Sequence, residues 1–374
     1  VIHFCVKVSK EISAMAGWLL SVRRELHKIP EVANQEFKTS AFIKSRLGDL
    51  GLEYVAVQTG IVVKIKGSAP TKTIGFRADI DALAIEEMRE SDYQSKHKGF
   101  MHACGHDMHA AILLGFAKYL CENPPRQNIV LVWQPAEEGG GGGKMMVESG
   151  LFGADMFFAV HVNPMLEVGK FTCRSGVSQP GTKRIEIKFK GEGRHAQLRD
   201  GTKDALLAGA EFLLLSEKLN TADRLFHVGT FSGGDGANIV SENASARATM
   251  RWFDDKDYKE MRAELFGLAK TIEQKNRGKV EIIESPNFCL PIHNTESYVE
   301  IIRGIKGYVP PSKHRVFAGD DFSFFIDKFS GAIISLGAQP KTGKTYPVHS
   351  NMFHANEDAL LVGVELFVEL SKRV

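Results

Sequence analysis

Across its 374 residues the chain has no apolar run approaching the ~20 residues that a helix needs to cross a hydrocarbon core, so helical membrane spans are excluded. A basic tail or stripe is also missing. With a formal charge of +2, short groups such as Lys183-Arg184 read as solvated faces, and bulk electrostatic binding of nucleic acid is excluded. Cysteine is sparse: Cys5, Cys104, Cys121, Cys173 and Cys289 are five in all, odd in number and widely spread. That pattern speaks for free thiols in a reducing compartment rather than a disulfide framework. There is no internal repeat and no low-complexity segment. The opening VIHFCVKVSKEI has an apolar patch too short for a signal peptide and no typical cleavage region. A cytoplasmic chain is expected.

The 43% hydrophobic and 25% charged residues are ordinary for a globular protein, and the length exceeds one ordinary core, so two domains are expected. Ile12, Trp18, Leu19, Val22 and Leu26 recur at helical spacing until Pro30. After a second helix ending at Gly51, short apolar strands alternate with helices: Thr73–Phe76, Ala110–Leu120, Asn128–Trp133 and Met156–Val160. Each strand runs into polar residues, the pattern of an α/β domain with a largely parallel sheet. Ligand sites in such sheets lie beyond the carboxyl ends of the strands, where Asp79, Glu137, Glu138 and His161 fall. From Gly181 the texture changes to alternating polar and apolar strands in the order β-α-β-β-α-β, as in a ferredoxin-like α+β domain. The expected division is a catalytic domain over residues 1–180, an inserted domain over 181–290, and the catalytic domain resumed over 291–374.

The stretch FMHACGHDMHA, Phe100 to Ala110, concentrates metal-binding side chains: His102, Cys104, His106, Asp107 and His109 lie within eight residues. Cys104 and His106 are two apart, so an extended or turning backbone points both to one side. Thiolate with imidazole favours zinc or a neighbouring first-row metal over calcium or magnesium. The alternative for the stretch read alone is a helix start that carries histidines and a buried cysteine.

Glu137-Glu138 follows a buried strand and precedes the glycine run Gly139–Gly143, which lets backbone approach and opens the next helix. Two neighbouring carboxylates on a turning backbone can divide roles, one holding a metal and the other acting as general base. His161 and His349 each stand at the end of an apolar run and complete a plausible donor set.

Taken together, these motifs resemble the two-metal aminoacylase/carboxypeptidase family of metallopeptidases. The nearest branch holds hippurate hydrolases, indole-acetyl-amino-acid hydrolases and N-acyl-amino-acid amidohydrolases. The likeness covers nearly the whole chain: RRELHKIPE (Arg23–Glu31), FRADIDAL, MHACGHDMH, QPAEEGGGG, AVHV around His161, GRHA around His195, NIVSENASARATMR (Asn238–Arg251), GDDFSFF and VHSNMF. It implies a zinc-peptidase-like catalytic domain and an inserted ferredoxin-like lid that mediates a homodimer. It implies two divalent metal ions per subunit (zinc, manganese, cobalt or nickel). Cys104 would bridge them, with His106, Glu138, His161 and His349 completing the donors. Glu137 would be the general base, and Asp79 a carboxylate that orients a donor. His195 would reach the partner subunit's site to stabilise the oxyanion. Asn238 and Arg251 would hold the substrate's carboxylate, for which a guanidinium fork is apt.

The implied activity is hydrolysis of the amide of an N-acyl amino acid. N-acetyldiaminopimelate deacetylation and dipeptidase or carboxypeptidase action are the alternatives within the family. A silent metal-dependent binding protein and thiol catalysis by Cys104 are the alternatives outside it. The sequence departs from the family pattern at Arg194, across Gln197–Asp200, and where NIVS, DALA and HSN lack the usual prolines. None of these removes a proposed donor or the base. They bear on substrate choice, through Arg194, Arg199 and Asp200 if these line a pocket, or else they are surface charge.

Overall fold

A computed structural model describes residues 8–374 apart from Gly140 and Asn276. Cys5, most of the opening apolar patch and one glycine of the Gly139–Gly143 run therefore lie outside the described residues. The chain forms two compact units. The first holds the described residues up to Ser178 with Ile292–His314 and Asp320–Val374, and the second holds Gln179–Pro291 with Arg315–Gly319.

The first unit is built on a seven-stranded sheet. Its strands run in the order Val55–Val57, Gly60–Ile65, Asn128–Gln134, Thr73–Asp79, Met156–Asn163, Gly331–Gly337 and Phe171–Thr172. The four strands from Asn128–Gln134 to Gly331–Gly337 are parallel, and the flanking ones antiparallel. These parallel strands are apolar at nearly every position because both sheet faces are covered. Successive residues serve opposite cores. Ile74, Phe76, Leu131, Trp133 and Phe158 join the helices Ala16–His27, His106–Glu122 and Ala359–Arg373, whereas Val130, Val132, Phe157 and Ala159 join Phe322, Phe325 and Met146. On the first face the Phe76 ring lies edge-on to Phe116 at 4.8 Å and tilted against Phe367 at 4.9 Å. The expected α/β class with a mainly parallel sheet is what forms.

The second unit runs strand Gly181–Lys190, helix Ala205–Ser216, strand Arg224–Gly233, strand Asn243–Trp252, helix Asp255–Gln274 and strand Lys279–Cys289. Its antiparallel sheet has Gly181–Lys190 and Asn243–Trp252 at the centre and the other two strands at the edges. That is the ferredoxin-like arrangement. Ile185, Ile187, Phe189, Ala246 and Met250 point from one face of the sheet onto Phe212 and Leu265 of its two helices. Segment Arg315–Gly319 returns to this unit, where Phe317 packs 5.1 Å from Phe253 and its carbonyl accepts from Arg251.

Three local boundaries differ from the sequence expectation. The metal-motif helix starts at His106, not Ala110, because Gly105 turns the chain directly into it. The strand Met156–Asn163 passes through His161, since its parallel pairing with Gly331–Gly337 continues to Asn163. The end of GDDFSFF is not a loop but the start of a helix, Ser323–Phe329.

Candidate metal centre

The carboxyl ends of the parallel strands deliver most of the nominated residues of the first unit. Asp79 closes Thr73–Asp79 and pairs in register with Gln134, the last residue of the neighbouring strand. From there Ala136 turns the chain into Glu137 and Glu138. Its φ is +56°, and its N–H donates to the buried Glu36 at 2.9 Å. His349 also adopts a positive φ, +64°, while its N–H donates to the Ala103 carbonyl at 2.8 Å. Non-glycine residues in this region cost of order 1 kcal/mol or more and persist where their surroundings hold them. Gly105, between Cys104 and His106, has φ +86°, and a side chain there would meet Val162 at 2.4 Å.

The donors converge as two triads that share one atom. Cys104, His106 and His161 place their ligand atoms within 4.8 Å of one another, and so do Cys104, Glu138 and His349. Cys104 Sγ lies 3.4 Å from His161 Nε2, and His349 Nε2 lies 3.1 Å from Glu138 Oε1. The ligand atoms of Glu137, His106 and Glu138 likewise lie within 4.8 Å of one another.

Hydrogen bonds fix which imidazole nitrogen faces the cluster. His106 Nδ1 must carry its proton, because at 3.0 Å it meets the Asp81 carbonyl, which can only accept. Its Nε2 is buried without a hydrogen-bond partner, 3.7 Å from Asp79 Oδ2 and 4.0 Å from Glu138 Oε1. His161 repeats the pattern, with Nδ1 on the Val162 carbonyl at 3.0 Å and Nε2 towards Cys104. His109 is different: Nδ1 donates to Asp79 Oδ1 at 2.6 Å and Nε2 accepts the Val162 N–H at 2.9 Å. Both of its nitrogens are occupied, and burial pushes it down to about 4, in keeping with a neutral ring.

The electrostatics ask for positive charge in the centre. His349 is pushed up to about 10 by its hydrogen bonds to Cys104 and Glu138. Burial alone would lower His106, yet Asp79 and Cys104 hold it well above the ordinary imidazole range. Glu137 is driven well above the usual carboxylate range, first by burial and then by the charges of Asp320, Glu138 and Asp321. A thiol, a carboxylate and three imidazole nitrogens, one of them the unpartnered buried Nε2 of His106, fit divalent first-row metal ions.

Of the sequence-nominated residues, Cys104, His106, Glu137, Glu138, His161, His349 and Asp79 come together in the first unit. Asp79 hydrogen-bonds His109 rather than a nominated donor, and its Oδ2 accepts from Arg77 at 2.7 Å. His195, Asn238 and Arg251 lie in the second unit. There His195 faces Ile239 across a two-stranded ladder and the Ala196 N–H donates to the Asn238 carbonyl at 2.8 Å. Arg251 lies opposite Thr182 on the central strand pair, and burial lowers its pKa. Arg194 pairs with Glu192 at 3.3 Å, while Arg199 and Asp200 are exposed. His102, unassigned from sequence, is buried with neither ring nitrogen hydrogen-bonded.

Sequence reasoning missed Arg77, Asp81 and Glu36. Arg77 is buried and distributes its donors to Gln134, Asp79, Asp320 and Asp321 at 2.7–3.1 Å. The signal for Arg77 and Asp81 was present in FRADIDAL, where charged residues occupy an otherwise apolar strand and its exit. Glu36 had no such signal.

The profile of peptidase family M20/M25/M40 matches residues 75–373. The chain belongs to that family. It is a hydrolase, and the resemblance carried by its motifs is borne out at this level. N-acetyldiaminopimelate deacetylase of Enterococcus faecalis is 34% identical over 363 residues, 93% of this chain and 95% of that protein. The Bacillus velezensis enzyme of the same name is 32% identical over 366 residues, 94% of this chain and 96% of its own. A Bacillus subtilis family member, described as a dinuclear metal binding peptidase, superposes with a TM-score of 0.83 at 26% identity, covering 97% of this chain and 100% of that one.

Proposed function

We propose that this hydrolase cleaves the amide between an acyl group and the α-amine of an amino acid with a free carboxylate. Two divalent metal ions would be held by Cys104, His106, Glu138, His161 and His349. The observation that carries the reading is the pair of donor triads sharing Cys104, beside a second carboxylate, Glu137. A donor common to both triads would let Cys104 serve two cations held side by side.

Bound there, the ions supply the positive charge that acidifies water and polarises the amide carbonyl. The protein's own residues then handle protons and positions. Glu137, with its pKa raised, takes a proton from the attacking water and returns it to the departing amine. His106 and His161 present Nε2 because their Nδ1 protons are tied to carbonyls. The roles of His195 for the oxyanion and of Asn238 and Arg251 for the substrate carboxylate rest on the motif match. The proposed homodimer would use the second unit, which bears the exposed Leu206, Leu207 and Leu214 on its helix Ala205–Ser216.

N-acetyldiaminopimelate is the first substrate to try, because curated relatives of more than 30% identity carry that name. A screen over acetyl, benzoyl, indole-acetyl and aminoacyl conjugates tests the reading. Chelation should abolish turnover, and zinc, manganese or cobalt should restore it. Full activity in metal-stripped enzyme would overturn the proposal.

A further inference from the structure

We infer that Asp81 is a positioning residue that locks the base Glu137, the donor Glu138 and the donor His106 in one register, using both its carboxylate and its main-chain carbonyl. This rests on the roles given to those three residues above.

Asp81 is fully buried, two residues past the end of the strand Thr73–Asp79. Its Oδ1 accepts the Glu137 N–H at 3.1 Å and its Oδ2 accepts the Glu138 N–H at 2.9 Å. Its carbonyl accepts His106 Nδ1–H at 3.0 Å, and Oδ1 lies 3.3 Å from the same nitrogen. One residue therefore contacts the two segments that carry base and donors, 56 and 25 positions away in sequence.

The two N–H groups belong to consecutive residues. Rotation of the peptide joining Glu137 to Glu138 would swing their side chains in different directions, so fixing both N–H groups sets the spacing between base and donor. A misplacement of ~1 Å in such an arrangement can cost about 100-fold in rate. A neutral side chain could satisfy one N–H, but only a carboxylate offers two equivalent acceptors. Glu36 secures the preceding residue, Ala136, and leaves this peptide to Asp81.

The test uses the full chain with Asp81→Asn, and Asp81→Ser as a second variant. The asparagine keeps the carbonyl contact to His106 and one side-chain acceptor, but turns an NH2 group towards the other N–H. On the best wild-type substrate, kcat should fall at least ~50-fold with KM within about threefold, the signature of lost alignment rather than lost binding. Amide exchange should quicken at Glu137 and Glu138 while the central strands keep their protection. Cobalt titration of the stripped chain should show weakening by about 10-fold with an altered absorption band. Unchanged exchange at 137–138, or kcat within threefold of wild type, overturns the inference. So does failure of both variants to fold, which would make Asp81 a folding residue. If the wild type cleaves no N-acyl amino acid, the functional reading falls, and exchange and cobalt binding still decide the role of Asp81.

Discussion

Asp107 directly follows the proposed donor His106 yet belongs to a different network: its Oδ2 lies 2.8 Å from Arg23 Nε and 2.7 Å from His27 Nδ1. The helix start thus divides its side chains between the candidate donor cluster and a buried ionic anchor. His27 extends the anchor to Glu87 at 3.2 Å, and Arg23 extends it to Glu357 at 3.2 Å.

Asp107→Asn should therefore destabilise the fold by about 3–5 kcal/mol, because Arg23 loses its fully buried carboxylate partner and keeps only the more exposed Glu357. Burial opposes ionisation of Asp107, but Arg23 and His27 overcome it and hold the pKa far below the ordinary value. A depressed carboxylate lends stability that is fully present above its unfolded pKa of ~3.9 and is lost as the pH falls below it. Thermal melts from pH 7 to 3 should show the gap between wild type and variant narrowing below about pH 4. A constant gap would remove the ion pair as the cause.

Cys173 should be silent to thiol reagents in the native chain. Burial pushes it up to about 12, and its sulfur contacts the Ile333 carbonyl and the Asn294 amide. An unfolded thiol ionises near ~8.5, so the unfolded state loses its proton first and stability falls as the pH rises from there towards 12. Counting thiols before and after denaturant checks this; labelling of Cys173 at pH 7.5 without unfolding would contradict it.

Glu137→Gln should keep metal binding and lose about 10²–10⁴-fold in kcat, the usual range for removing a general base. Because the wild-type carboxyl is half-buried beside Asp320 and Asp321, the amide should leave the melting temperature unchanged or raised. Metal analysis, calorimetry and kcat on one preparation separate the effects. Turnover within threefold of wild type would remove Glu137 from the base role.

Gly105→Ala places a Cβ at φ +86° against Val162. A cost of about 1–3 kcal/mol is expected from overpacking, with more from the backbone. Cys104 and His106 flank the position, so cobalt affinity should fall as well. Adding Val162→Ala relieves the clash alone and should recover part of the stability. No recovery would mean that the backbone angle carries the whole cost.

What was legible in the sequence was local. Cys104, His106, Glu137 and Glu138 announced themselves through short spacing and strand-end position, and alternation against continuous apolar runs separated the two sheet types. The supporting residues were illegible because their partners are remote. Glu36 meets Ala136 across 100 positions, and Arg77 meets Asp320 across 243. The helix begins at His106, four residues ahead of the apolar run from Ala110, because Gly105 is the left-handed residue immediately before the first turn.

The return of Arg315–Gly319 to the second unit has a consequence for anyone who would transplant that unit. The ferredoxin-like sheet and helices occupy one continuous stretch, Gln179–Pro291, yet its Arg251 and Phe253 are contacted by a segment that arrives only after an excursion through the other unit. Cutting at two points would uncover Phe253 and leave Arg251 without its acceptor. A graft needs four junctions, or a redesigned surface where Phe317 now lies.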